Sequence, residues 1–245
     1  MIKVKSAQQY PEGGFFNVNL LIVFILTLLF SVNTYAASKL PSDCNNQRLV
    51  AHAVKQGYTW TFTSKLGQIL QDAEQHYGKR DHSWTLLGIE FSSDQQPKVW
   101  YPYSQDNEKF IIIQLTQKAY CQEKIAIYQI AHEVIHLLSP LGAGQKSNVL
   151  EEGLATYFAI QQLEKHHYSQ PEAVIASRYY RHAYDAVRQL YALYPDADQK
   201  IRRLRQAFTH FSVLTPKQLQ QAFPKLAPQL VSSLLSQEKD IPSIN

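Results

Sequence analysis

The sequence predicts an α+β fold, on two observations. Before residue 122, strand-like runs alternate with an amphipathic helical segment, whereas beyond Gln161 apolar residues recur only at helical spacing. Between these regions lies 130-IAHEVIHLLSP-140, a helical pattern carrying two histidines four residues apart.

The elements follow in order. Residues 58-YTWTF-62 alternate like a strand, and Ser64 is placed to cap a helix ending at Tyr77, with Leu66, Ile69, Leu70, Ala73 and Tyr77 as its apolar stripe and Gly78 as its stop. The runs 84–91, 98–103 and 109–116 read as three strands separated by polar turns, and the Trp100, Tyr101 and Tyr103 cluster as ordinary sheet packing. A helix is predicted over 122–138, since Ile127, Ile130, Ala131, Val134, Ile135, Leu137 and Leu138 recur at its period and Pro140 and Gly142 mark its end. After the loop 139–147, Asn148 is the N-cap of a second helix with Leu150, Leu154, Ala155, Phe158 and Ile160 on its apolar positions. Pro171 opens a long helix closed by Pro195, and another runs over about 196–211, where 200-KIRRLR-205 reads as a solvated face. Thr215 and Pro216 start a short helix, and 226–235 supplies the last.

His132 and His136 project from one face on consecutive turns, near enough for both imidazoles to hold one ion, with Glu133 beside them. A catalytic zinc takes three protein ligands and leaves one position to water, so a third ligand must come from elsewhere. The segment 148-NVLEEGLATYF-158 offers two glutamates. Glu151 falls at the third helical position, where a capping box would occupy its carboxylate. Glu152 shares a face with Ala155, Thr156 and Ala159, small residues that let this helix approach the histidine helix, and it is assigned to the metal. Tyr157, Tyr180, His182 and Tyr184 are within the region that could supply an oxyanion donor, but tyrosine is abundant in this chain and packing is the reading adopted for each, with none assigned as the donor.

HEVIH followed by an E-G-L-A-x-Y-F helix resembles the zincin metallopeptidases of the gluzincin type, over about residues 130–160. The resemblance implies one zinc ion bound by His132, His136 and Glu152, with Glu133 as the general base. It also implies a zincin-like arrangement, in which a lobe with a small mixed sheet and helices (37–147) and an all-helical lobe (148–245) form one domain around an active-site cleft. In that fold the edge strand beside the cleft pairs with an extended substrate. The chain departs from the thermolysin group in a shorter gap between the second histidine and the glutamate. It departs again at Thr156, which stands where an aspartate would support a zinc histidine. The metzincin pattern does not fit, because Ser139 and Gly142 occupy the places of its glycine and third histidine.

The amino-terminal segment bears on compartment. Lys3 and Lys5 precede the apolar run 20-LLIVFILTLLF-30, and Thr34 and Ala36 suit signal cleavage after Ala36, so residues 1–36 are expected to be a signal peptide or an uncleaved anchor. Contact with a membrane is expected only if this segment is retained. Cys44 and Cys121 are the only cysteines, and in an oxidising compartment they read as one disulfide. The chain carries 24 Lys and Arg against 20 Asp and Glu, and a leader would remove Lys3, Lys5 and Glu12, so bulk charge does not point to nucleic acid. The expectation is a secreted or periplasmic zinc-dependent peptidase acting on proteins or peptides. Its alternatives are a zinc amidase cutting cell-wall peptides and an inactive zinc-binding module, against which an intact Glu133 argues.

Overall fold

The computed structural model describes residues 53–55, 57–58, 61–103 and 108–237. The apolar run, the Ala36 site and Cys44 lie outside the described residues. Among the described residues the chain folds as a mixed α+β protein with eight α-helices, a two-stranded ladder and a three-stranded sheet.

The ladder pairs β1 (Ala53–Val54) with β2 (Gly57–Tyr58) in antiparallel fashion. Helix α1 (Phe62–Tyr77) then begins earlier than the sequence suggests, with Phe62 inside the helix rather than ending a strand. Thr61, not Ser64, is the cap. The Thr61 hydroxyl accepts the Ser64 N–H at 3.3 Å, and the Ser64 hydroxyl oxygen accepts the Thr61 N–H at 2.7 Å, so two end groups are satisfied reciprocally. Gly78 ends the helix at a φ of 89°.

Strands β3 (Thr85–Ser92), β4 (Lys98–Trp100) and β5 (Phe110–Thr116) form the sheet in the order β3-β5-β4. β5 is central, parallel to β3 and antiparallel to β4, and it buries Ile111, Ile113 and Leu115. β4 is therefore an edge. The aromatic cluster around it is not uniform sheet packing: Tyr101 packs on Trp84 with ring centroids 5.0 Å apart, whereas Trp100 is 41% and Tyr103 89% exposed.

A short helix that the sequence pattern hides, α2 (Gln117–Cys121), precedes α3 (Glu123–Leu138), the extended backbone of Gln122 separating them. Among the described residues no cysteine is free. Helix α3 is buried almost all round, from Ala126 and Ile127 to Leu137 and Leu138, which makes it the centre of the core. It packs against α1, β5 and α4 (Val149–Lys165). α4 in turn packs against α5 (Arg178–Leu193), and Gly153 sets that distance. A Cβ at position 153 would lie 2.4 Å from the Ala183 carbonyl oxygen and 2.5 Å from Val187 Cγ2. Gly153→Ala is therefore expected to cost about 1–3 kcal/mol by overpacking, despite the better helix propensity of alanine. Chemical denaturation checks this: a midpoint as high as that of the parent would mean that α4 and α5 separate freely.

Three expectations for the carboxy-terminal half need correction. Pro171 opens only a 3₁₀ turn, Pro171–Val174, and α5 begins at Arg178. Glu172 explains the break, since its carboxylate accepts from Arg181 at 3.1 Å and from the Tyr184 hydroxyl at 2.8 Å, holding the turn against the flank of α5 instead of in line with it. Helix α6 (Ala197–Ala207) stops short of Phe211, which starts a separate 3₁₀ turn. The basic stretch 200–205 is not simply a solvated face. The Arg205 guanidinium donates to the carbonyls of Tyr77 (2.5 Å) and Gly78 (2.9 Å) at the end of α1 and to that of Leu138 (2.6 Å) at the end of α3, while Arg202 donates to the His76 carbonyl at 3.1 Å. Carbonyls with no partner inside their own helix and negative dipole ends at two helix termini are what attract these cations. Helices α7 (Pro216–Ala222), with its Thr215 and Gln218 capping box, and α8 (Pro228–Leu235) complete the chain much as the sequence indicates.

Candidate metal centre

The spacing of the histidines and the close approach of α3 and α4 bring His132, His136 and Glu152 together. One ligand atom from each lies within 4.8 Å of the others, so the three can hold a metal ion. Glu152 Oε2 stands 3.2 Å from His132 Nε2 and 3.7 Å from His136 Nε2. Two imidazole nitrogens and one carboxylate oxygen form a donor set that leaves a coordination position open. His132 is 3% exposed and Glu152 8%, so both side chains are shielded from solvent.

The electrostatics express that burial. Burial opposes a charge on His136, but the carboxylates of Glu152 and Glu151 outweigh it and hold the imidazole well above its ordinary pKa. Burial likewise raises Glu152, yet His136 and His132 pull it well below the usual carboxylate range. A cation would compete with the proton on His136 for this site.

Each ligand has a supporting group. Ser147, the residue before the α4 cap, donates its hydroxyl to Glu152 Oε1, leaving Oε2 toward the histidines. Asn148 caps α4 as expected, accepting the Glu151 N–H at 3.1 Å, but the return half of the expected capping box is missing. The Glu151 carboxylate turns instead to His136, 2.9 Å from Nδ1. That contact fixes which ring nitrogen faces Glu152, and Glu151 thus supports a ligand rather than the cap. Thr156 is a weaker neighbour of His132, 3.5 Å from Nδ1, while its hydroxyl donates to the Glu152 carbonyl at 2.9 Å. Reading Glu151 as a cap partner missed its role. The signal available in the sequence was position, since a residue directly before Glu152 on the first turn of α4 stays near the histidine helix.

Glu133 is 3% exposed and lies beside the cluster without joining it. Burial pushes its carboxyl up, and the charges of His132 and His136 and the adjacent Val99 main-chain N–H act against the rise. The site opens into a cleft of about 570 Å³ bounded by β4 and Tyr101, by the loop 141–147 and by Tyr179 and Tyr180 of α5. Of the four side chains that could serve an oxyanion, only Tyr180 lines this cleft, its ring 5.2 Å from that of His132. Tyr157 stacks on Tyr191, Tyr184 bonds Glu172, and His182 bonds Ser233 at 3.0 Å.

No family model matches this sequence, and neither a curated protein nor a solved structure matches it.

Proposed function

We propose that this chain is a zinc-dependent metallopeptidase of the gluzincin type, with its cleft between an α/β lobe and a helical lobe. The observation that carries the reading is a buried carboxylate, Glu133, standing beside but outside a two-histidine, one-glutamate donor set at the floor of an open cleft. A purely structural site has no use for a further buried carboxylate there. Zinc, when bound, polarises the scissile carbonyl and lowers the pKa of a water toward about 7. Glu133 takes the proton from the attacking water and delivers it to the departing amine, and a carboxyl raised by burial is suited to both transfers. The outward edge of β4 would pair with an extended substrate, and Tyr180, which lines the same cleft, is the candidate donor to the oxygen that gains charge. The same reading makes the protein exported, with residues 1–36 as leader and Cys44 paired to Cys121.

The test is mapping of new peptide termini after purified protein is added to a complex peptide mixture, with a chelator arm. New termini that vanish with chelator and return with zinc are expected. A protein that holds zinc tightly and generates no termini would instead be a zinc-binding module.

A further inference from the structure

The cleft is not bounded alike at its two ends. β4 and α3 run along it in the same sense: Val99 lies beside Glu133, and two residues further on Tyr101 lies within the field of His136. Beyond His136 the chain leaves α3 and enters the loop 141–147, and there it meets Tyr101. The main-chain N–H groups of Leu141 and Gly142 sit beside the Tyr101 hydroxyl oxygen. The Tyr101 ring packs on Trp84, and Gly142 lies against that same indole, a Cβ built on it falling 4.0 Å from Cη2. Trp84 has further contacts, with the Lys109 ammonium 5.6 Å from its ring centroid and its main-chain carbonyl accepting from Arg80 at 2.8 Å. Tyr101, Leu141 and Gly142 thus wall the end of the cleft that receives the carboxy-terminal end of β4, and Trp84, outside the lining, packs on Tyr101 and Gly142. The other end, at Lys98, carries an exposed ion pair between Lys98 and Asp94, 2.5 Å long.

A wall at one end limits how much chain can lie on that side of the reacting bond. From Val99, level with Glu133, to Tyr101 is two residues, or about 6.6 Å of extended strand, which accommodates about two substrate residues. A peptide adding to the outer edge of β4 in the commoner antiparallel sense points its amino terminus toward the carboxy-terminal end of the strand. We propose that the protein is an exopeptidase that releases one or two residues at a time from the amino terminus of peptides, because the wall at Tyr101 blocks longer chain upstream of the cleaved bond. This rests on the peptidase reading above.

The experiment uses zinc-loaded full-length protein and one synthetic decapeptide in three forms: free, extended by several residues at its amino terminus with the new terminus acetylated, and carboxy-terminally amidated. Mass spectrometry follows the products. The free and amidated forms are expected to shorten from the amino terminus in steps of one or two residues. The blocked form should react at least about tenfold more slowly, the scale on which a pocket discriminates by fit. Tyr101→Ala, with zinc content equal to that of the parent, is expected to gain internal cleavage of the blocked form, whereas Tyr101→Phe, which keeps the ring in the wall, should not. Internal cleavage of the blocked peptide by the parent protein, or stepwise loss from the carboxyl end, overturns the inference while leaving the peptidase reading intact. Zinc-loaded protein that cuts none of the three overturns both.

Discussion

Glu133→Gln is expected to keep its zinc and its fold and to lose turnover by about 10² to 10⁴, the usual worth of general-base catalysis. Glutamine matches glutamate in shape, so the packing around a side chain that is only 3% exposed is preserved. Its amide cannot take a proton from water at neutral pH, and that is the single property the exchange removes. Burial raises the Glu133 carboxyl in the parent, so the fold spends stability to keep an ionisable group there. The neutral amide relieves that cost, and the variant should unfold at a temperature no lower than the parent. Zinc content, thermal unfolding and hydrolysis of a substrate found by terminus mapping are measured side by side. A glutamine variant that cleaves as fast as the parent would show that the base lies elsewhere.

The site was legible in the sequence where its geometry is local. His132 and His136 share a helix, and the helix period alone places them one turn apart. Glu152 required a second step, because helix spacing shows which face it occupies but not what meets that face. The strip of small residues supplied the answer, and Ala155, Thr156 and Ala159 are indeed buried. What could not be read was long-range satisfaction of polar groups. Arg205 looks like a surface cation until the ends of α1 and α3 converge on it, and Tyr101 looks like one of three ordinary sheet-packing aromatics until the loop after α3 folds back beside it. Boundaries failed for a related reason. Thr61 and Ser64 are both good caps by residue type, and the choice between them is settled by a reciprocal pair of hydrogen bonds that puts each in a different place. Pro171 is a good helix starter whose helix is interrupted because Glu172 finds partners on α5.

The two adjacent glutamates of α4 are expected to separate cleanly on zinc affinity, and the order of their variants tests the whole arrangement. Glu152→Ala removes one of three ligands and also strands Ser147, so zinc should be lost on purification. Glu151→Ala removes no ligand. A merely structural Glu151 would leave zinc affinity untouched, but its carboxylate is 2.9 Å from His136 Nδ1, and it helps hold His136 above its ordinary pKa against the effect of burial. Loss of such a supporting partner typically weakens a metal site by about 10- to 100-fold. That is roughly 1.4 to 2.8 kcal/mol. Glu151→Gln keeps an oxygen that can accept from Nδ1 while removing the charge, so it should fall between Glu151→Ala and the parent. Competition against a chromophoric chelator measures all three, and because it reads zinc directly it does not depend on knowing a substrate. If Glu151→Ala binds zinc as tightly as the parent, the contact with His136 does not orient the ligand. If Glu151→Ala loses zinc while Glu152→Ala retains it, the ligand is Glu151, and α4 presents its other face to the histidines.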